Sequence, residues 1–290
     1  KGEWKMNRVE GDLVIENASE LITLLRGSRR PLLGEQMKDL GIIKSGSIAV
    51  REGKIVAVGK TQEIKKKFEG IENVDASGKV AMPGFVDPHT HLVFAGSREE
   101  EFEMRVQGST YMEILERGGG ILKTVKETRK ASRGELIENC KKTLDTMLEH
   151  GTTTVEAKSG YGLTTMDEIK CLEVVKVLNE KHSIDIVPTF LGAHTIPLEY
   201  KDNADEYVGL IVNEMIPEVA SRKLAEFCDV FCETGVFSVE QSERISRAAA
   251  ALGLEARLHA DELTPLGGAE LAAELRAVSA DHLLFVSERG

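Results

Sequence analysis

From residue 83 onward the chain repeats one unit: a short apolar run, a polar tip, then a stretch with helical spacing. The apolar runs are "GFVDPHTH", "TTTVEAKSGYG", "IDIVPTFLGAH", "CDVFCETG", "LEARLHADE" and "RAVSADHL". Helical patterns lie between them, among them "RGELIENCKKTLDTMLEHG", "MDEIKCLEVVKVLNEKH" and "SVEQSERISRAAAALG". In the last, Ser238 with Gln241 three residues on is a capping pair, and Gly253 is a C-terminal stop. Strands separated by helices pair in parallel, because a parallel return needs a crossover rather than a tight turn. That leaves a barrel or an open doubly wound sheet. The polar tips choose between them: His89 and His91; Glu156, Lys158 and Tyr161; His194; Glu233; His259 and Glu262; Asp281 and His282. In a (β/α)8 barrel every C-terminal strand end faces one pocket. An open sheet gathers only the tips at its switch point. No glycine-rich phosphate loop follows the first strand. The expectation is an α/β chain whose residues 83–290 form a TIM-like (β/α)8 barrel, with strands one to six present.

Residues 1–82 read as a small β domain of short segments, "GDLVIENA", "GSIAVREGKIVAVG" and "VDASGKVAMPG". A hairpin turns at Glu52-Gly53, and the stretch at 21–41 is a loop with some helix. A formal net charge of −11 argues against a nucleic-acid surface, which needs clustered Lys and Arg. The basic runs at 26–30 and 65–67 are short and read as solvated faces. No apolar run is long enough to span a membrane, and no signal peptide is visible. Four scattered cysteines predict reduced thiols in a cytoplasmic protein rather than a disulfide framework. The chain begins at Lys1 and ends at "FVSERG", within a strand-to-helix unit, so a piece of a longer protein is expected.

The stretch "FVDPHTHLVF", residues 85–94, puts His89 and His91 on the same face of a strand, since residues i and i+2 point the same way. Burying two imidazoles together is costly unless something lies between them. A divalent metal would fill that space; strand-end histidines bonded to backbone or water are the alternative. His259 adds a third imidazole. Three histidines converging in one barrel mouth suit zinc or iron, completed by a carboxylate or water. In "HADEL", Glu262 stands three residues past His259, where a carboxylate can move a proton from activated water to a leaving nitrogen. Its other reading is a first-turn residue of the next helix. His282, in "SADHL", belongs to the following strand.

Several motifs carry a more specific likeness: "PGFVDPHTHLVFAGSR", "GGGILKTVKETR", "GTTTVEAKSGYGL", "FLGAH", "DVFCETGVFS", "HADEL" and "SADHL". Together they run almost end to end, and the chain resembles the imidazolonepropionase family of the metal-dependent amidohydrolase superfamily. The resemblance implies hydrolysis of the ring amide bond of 4-imidazolone-5-propanoate to N-formimidoyl-L-glutamate in histidine breakdown. It implies one metal ion, zinc or iron, held by His89, His91 and His259. It implies that Arg98, Tyr161 and His194 bind substrate, and that Glu262 and His282 polarise it and handle protons. An Arg clamp suits a propanoate tail, and Tyr161 between two glycines can approach a ligand closely. The likeness also implies a β-sandwich-like N-terminal domain completed by C-terminal residues. A fourth metal ligand, an aspartate on an eighth strand, would lie beyond residue 290, and a homodimer is expected.

The nearest rival is a mononuclear deaminase of a heterocycle such as guanine, built on the same histidine pattern. A purine needs no carboxylate clamp, so Arg98, Tyr161 and His194 favour amide opening. A binuclear site bridged by a carbamylated lysine is disfavoured because the fourth strand, "DVFCE", carries no lysine. A metal-free binding protein on the same fold would be expected to have lost ligands, yet all three histidines are present.

Overall fold

A computed structural model describes residues 9–24, 32–110, 113 and 119–290; the basic run at 26–30 lies outside them. The chain divides into two compact units, Lys1–Gly84 and Phe85–Gly290.

The first unit contains β1 (Val9–Ile22), β2 (Ile42–Arg51), β3 (Lys54–Lys60), α1 (Thr61–Lys67), β4 (Phe68–Asp75) and β5 (Val80–Ala81). They form one mixed sheet in the order β3-β2-β1-β4, with β5 on β1. The β2–β3 hairpin closes at Arg51 against Lys54. Glu52 and Gly53 both take positive φ, 52° and 69°, which is the backbone of a two-residue primed turn. Ile64 of α1 packs on Val14 and Ala49. A second sheet facing this one is not found among the described residues, so the sandwich-like arrangement is not seen there.

The second unit follows the strand-and-helix grammar of the sequence. Its strands are β6 (Phe85–Thr90), β7 (Thr152–Lys158), β8 (Asp185–Ala193), β9 (Phe227–Cys232), β10 (Glu255–Ala260) and β11 (Ser279–His282). Its longer helices are α2 (Glu99–Val106), α3 (Ile121–Lys130), α4 (Arg133–Glu149), α5 (Thr165–Lys181), α6 (Ala204–Leu210), α7 (Ile216–Ser221), α8 (Val239–Ala251) and α9 (Gly268–Leu275). All six strands pair in parallel and in consecutive order. Ser238 and Gln241 form a complete capping box on α8, and Ser132 with Glu135 does the same on α4. Leu136, Cys140 and Leu144, four residues apart along α4, are buried with Val155 and Ala157 of β7. That is the apolar stripe of a helix laid on a sheet. The four cysteines are free and buried.

The sheet is curled. If it were flat, β6 and β11 would stand about 24 Å apart, five steps of about 4.8 Å. Instead His89 Nδ1 on β6 lies 3.0 Å from Asp281 Oδ2 on β11, and Arg257 on β10 donates to the Pro88 carbonyl at 3.1 Å. The six strands therefore make a nearly closed, barrel-like wall. Among the described residues, no helix is long and apolar enough to cross a membrane.

Candidate metal centre

The C-terminal ends of the six strands converge on histidines. His89 lies in β6 and His91 one residue beyond it, their ring centroids 5.2 Å apart. His259 of β10 stands 4.5 Å from His89 and 5.3 Å from His91. His282, the last residue of β11, is 5.0 Å from His89 and 4.9 Å from His259. His194, just past β8, stacks on His91 at 4.7 Å with 13° between the planes. Tyr161, after β7, packs 5.1 Å from His194 and 5.9 Å from His91. Residues far apart in the chain, such as His89 and Asp281, 192 positions apart, thus share one space.

The ring nitrogens sort into two overlapping sets, each with its atoms within 4.8 Å of one another: His89, His259 and His282, and His91, His194 and His259. The trio His89, His91 and His259 is brought together, but His89 and His91 fall in different sets, with His259 common to both. Whether these residues fit a metal can be judged from their unfilled atoms. His89 Nε2 and His91 Nδ1 are buried with no hydrogen-bond partner, an arrangement proteins avoid unless another partner is intended. Burial, reinforced by His194 and His259, holds His91 far below the ordinary imidazole range. Burial likewise drives His194 down to about 3. Neutral imidazoles with unfilled lone pairs are the form that binds zinc or iron. The donor set fits a metal ion.

Beneath the histidines lies a buried ionic group. The Lys158 ammonium, fully buried, donates to Glu156 Oε1 at 2.8 Å and Asp229 Oδ2 at 2.7 Å. Asp281 Oδ2 is 3.9 Å from the same nitrogen. Asp229 also accepts from the His259 backbone N–H at 3.2 Å. Its Oδ2 lies 3.0 Å from His259 Nδ1, though out of line for a hydrogen bond. Burial opposes charge on both sides, but the partners win. Asp229 and Glu156 hold Lys158 above its ordinary value, and His259 and Lys158 hold Asp229 well below its own. Carboxylates placed behind ligand imidazoles orient the rings and raise their basicity. In the sequence Glu156, Lys158 and Asp281 stand out only as strand tips, and Asp229 does not stand out among them. Its signal was a charged residue inside the buried strand "FCDVFC".

Glu262 Oε2 lies 3.4 Å from His282 Nε2. Burial and the neighbouring His259 hold His282 below the usual imidazole range. Asp261, His282 and Leu283 take positive φ of 50°, 74° and 57°, a conformation that costs a non-glycine residue about 1 kcal/mol or more and clusters at functional sites. Glu233 faces the loop after β10 rather than the histidines. It accepts the backbone N–H groups of Leu263 at 2.8 Å and Thr264 at 3.3 Å, tying the end of β9 to that loop. Arg98 precedes α2, and its Nε donates to the buried Glu101 at 2.8 Å. Burial raises Tyr161 above its ordinary value against the opposing charge of Arg98, so the phenol stays a donor.

The chain is 56% identical over 282 residues to the imidazolonepropionase of Geobacillus sp. (strain WCH70), spanning 96% of this chain and 66% of that protein. It is 52% identical over 282 residues to the imidazolonepropionase of Thermoanaerobacter pseudethanolicus (strain ATCC 33223 / 39E), spanning 97% and 67%. The chain thus covers about two thirds of the length of these relatives. Among solved structures it is similar to an adenosine deaminase from Xanthomonas campestris with bound zinc. That likeness has a TM-score of 0.57 at 18% identity and covers 92% of this chain and 53% of that one. At this identity the likeness speaks for an amidohydrolase-type fold alone. No protein-family model matches the chain.

Proposed function

The chain belongs to the imidazolonepropionase family, and we propose that the whole protein hydrolyses the ring C–N bond of 4-imidazolone-5-propanoate to N-formimidoyl-L-glutamate. The observation that carries this reading is the gathering of five histidines with Tyr161 at the strand ends of a chain 56% identical to an imidazolonepropionase. In this reading His89, His91 and His259 hold the metal, zinc or iron. The remaining third of the relatives' length is where two further strands and an aspartate ligand are expected. When bound, the ion supplies Lewis acidity and makes water nucleophilic near neutral pH.

The chain's own residues do the rest. Arg98 has its Nε bound to Glu101 and keeps its other N–H groups for the propanoate carboxylate, a match of planar donors to planar acceptor. Tyr161 and His194 line the ring of the substrate. Glu262 accepts the proton of the attacking water as the new C–O bond forms. It then delivers that proton to the departing ring nitrogen as the C–N bond breaks. His282, within reach of Glu262, steadies the oxygen on which negative charge develops.

The test is turnover by the full-length protein. Incubation with 4-imidazolone-5-propanoate should yield N-formimidoyl-L-glutamate, identified by mass spectrometry. Guanine offered in parallel should remain intact. Deamination of guanine without opening of the imidazolone ring would overturn the assignment in favour of the deaminase reading.

A further inference from the structure

One buried carboxylate takes no part in the chemistry above. Glu168, in the first turn of α5, is fully buried. Its oxygens accept three backbone N–H groups from a single turn: Gly160 at 3.0 Å on Oε2, and Gly162 and Leu163 at 2.8 Å each on Oε1. A carboxylate in this position is tolerable only while those donors stay in place, so the turn and the acid hold each other. The two glycines explain how close the turn comes. At Gly160, with φ of +108°, a Cβ would meet the Leu191 carbonyl at 2.9 Å and His194 Nδ1 at 3.0 Å. At Gly162 a Cβ would lie 2.5 Å from the Glu168 backbone nitrogen. Arg129 of α3 grips the turn from its other side, donating from Nε to the Gly162 carbonyl at 2.6 Å and from Nη2 to that of Leu163 at 3.3 Å.

Two ligand-facing groups depend on this turn. Tyr161 is the residue held between the glycines. His194 Nδ1 lies 3.0 Å from the Gly160 carbonyl. A carbonyl oxygen only accepts, so Nδ1 carries the proton and Nε2 is left as the ring's acceptor.

We infer that Glu168 is a positioning residue: by fixing the Gly160–Leu163 turn it places Tyr161 and, through the Gly160 carbonyl, sets the tautomer of His194. The kinetic consequence rests on the substrate-binding role proposed for this pair; the geometric one does not. Glu168→Gln in the full-length protein retains the side chain's shape but sets an amide NH2 against backbone donors. Steady-state kinetics on 4-imidazolone-5-propanoate should show KM raised about tenfold or more with a smaller change in kcat, as expected when groups that bind the ground state are misplaced. A purely structural lesion would instead lower the amount of folded enzyme, reducing kcat at constant KM. The independent readout is the 15N spectrum of the His194 ring. The parent should show a protonated Nδ1 and a bare Nε2, and the variant should lose that pattern. Arg129→Gln removes the two donors on the opposite side at a partly exposed position. It should move both readouts the same way by less, and it decides the matter if Glu168→Gln does not fold. Unchanged KM and an unchanged His194 signature in a folded variant would overturn the inference. If the parent protein does not open the imidazolone ring at all, the proposed function fails, and the ring signature still decides the role of Glu168.

Discussion

Replacing Lys158 by Met should destabilise the protein more than almost any other single change in it. The ammonium is fully buried and sits 2.7 Å from Asp229 and 2.8 Å from Glu156, with Asp281 at 3.9 Å. Methionine matches its length and volume, so packing is largely preserved and the loss is electrostatic. What remains is a group of carboxylates without a cation, two of them almost wholly buried. Removing one partner of a buried ion pair typically costs about 3–5 kcal/mol, a large share of the roughly 5–15 kcal/mol that holds a domain folded. With a urea m-value of about 3 kcal/mol/M, the unfolding midpoint should fall by about 1 M or more. Urea titration followed by circular dichroism reads this directly. Adding Asp229→Asn to Lys158→Met should destabilise less than the two single effects summed, because it removes one of the stranded charges. A midpoint shift below about 0.3 M for Lys158→Met, or strict additivity in the double variant, would refute the view that Lys158 neutralises this site.

The acid limb of stability follows from the buried imidazoles. In the metal-stripped protein, His91 and His194 are held below their ordinary value of 6.5, His194 to about 3. The unfolded chain therefore binds protons that the folded one refuses as pH drops below 6.5. Stability is complete above that pH and should fall by about 1.4 kcal/mol per unit for each of the two histidines; a flat profile between pH 7 and 5 contradicts this. Chelation should lower Tm by about 10 °C if the ion is present at about a thousand times its Kd, with metal content measured on the same sample. An identical Tm before and after stripping a bound ion would remove the metal from the folding argument. Glu262→Gln should retain metal and fold while kcat/KM drops by about 10²–10⁴. Wild-type turnover in that variant would take the residue out of the proton path.

Local patterns made much of the fold legible. The alternation of apolar runs with helical spacing announced the parallel strands from β6 to β11. Ser238 and Gln241 marked the start of α8, and Glu52-Gly53 marked the β2–β3 turn. Each of these signals lies within a few residues of the structure it specifies, because turns, caps and periodicities are set by near-neighbour sterics and hydrogen bonds. The strand tips also drew attention to His89, His91, His194, His259 and His282. Only the tertiary structure decided how these rings meet: His194 stacked on His91, His259 shared between two sets, His89 reaching Asp281 across the sheet. It also revealed Asp229 under His259, Lys158 among its carboxylates, and Glu168 holding the turn that carries Tyr161. Among the described residues the first unit shows one sheet, and the second sheet of the expected sandwich is not seen there. Such contacts join residues from separate strands, and a charged residue's partner there depends on how the sheet curls, which no window along the chain can read.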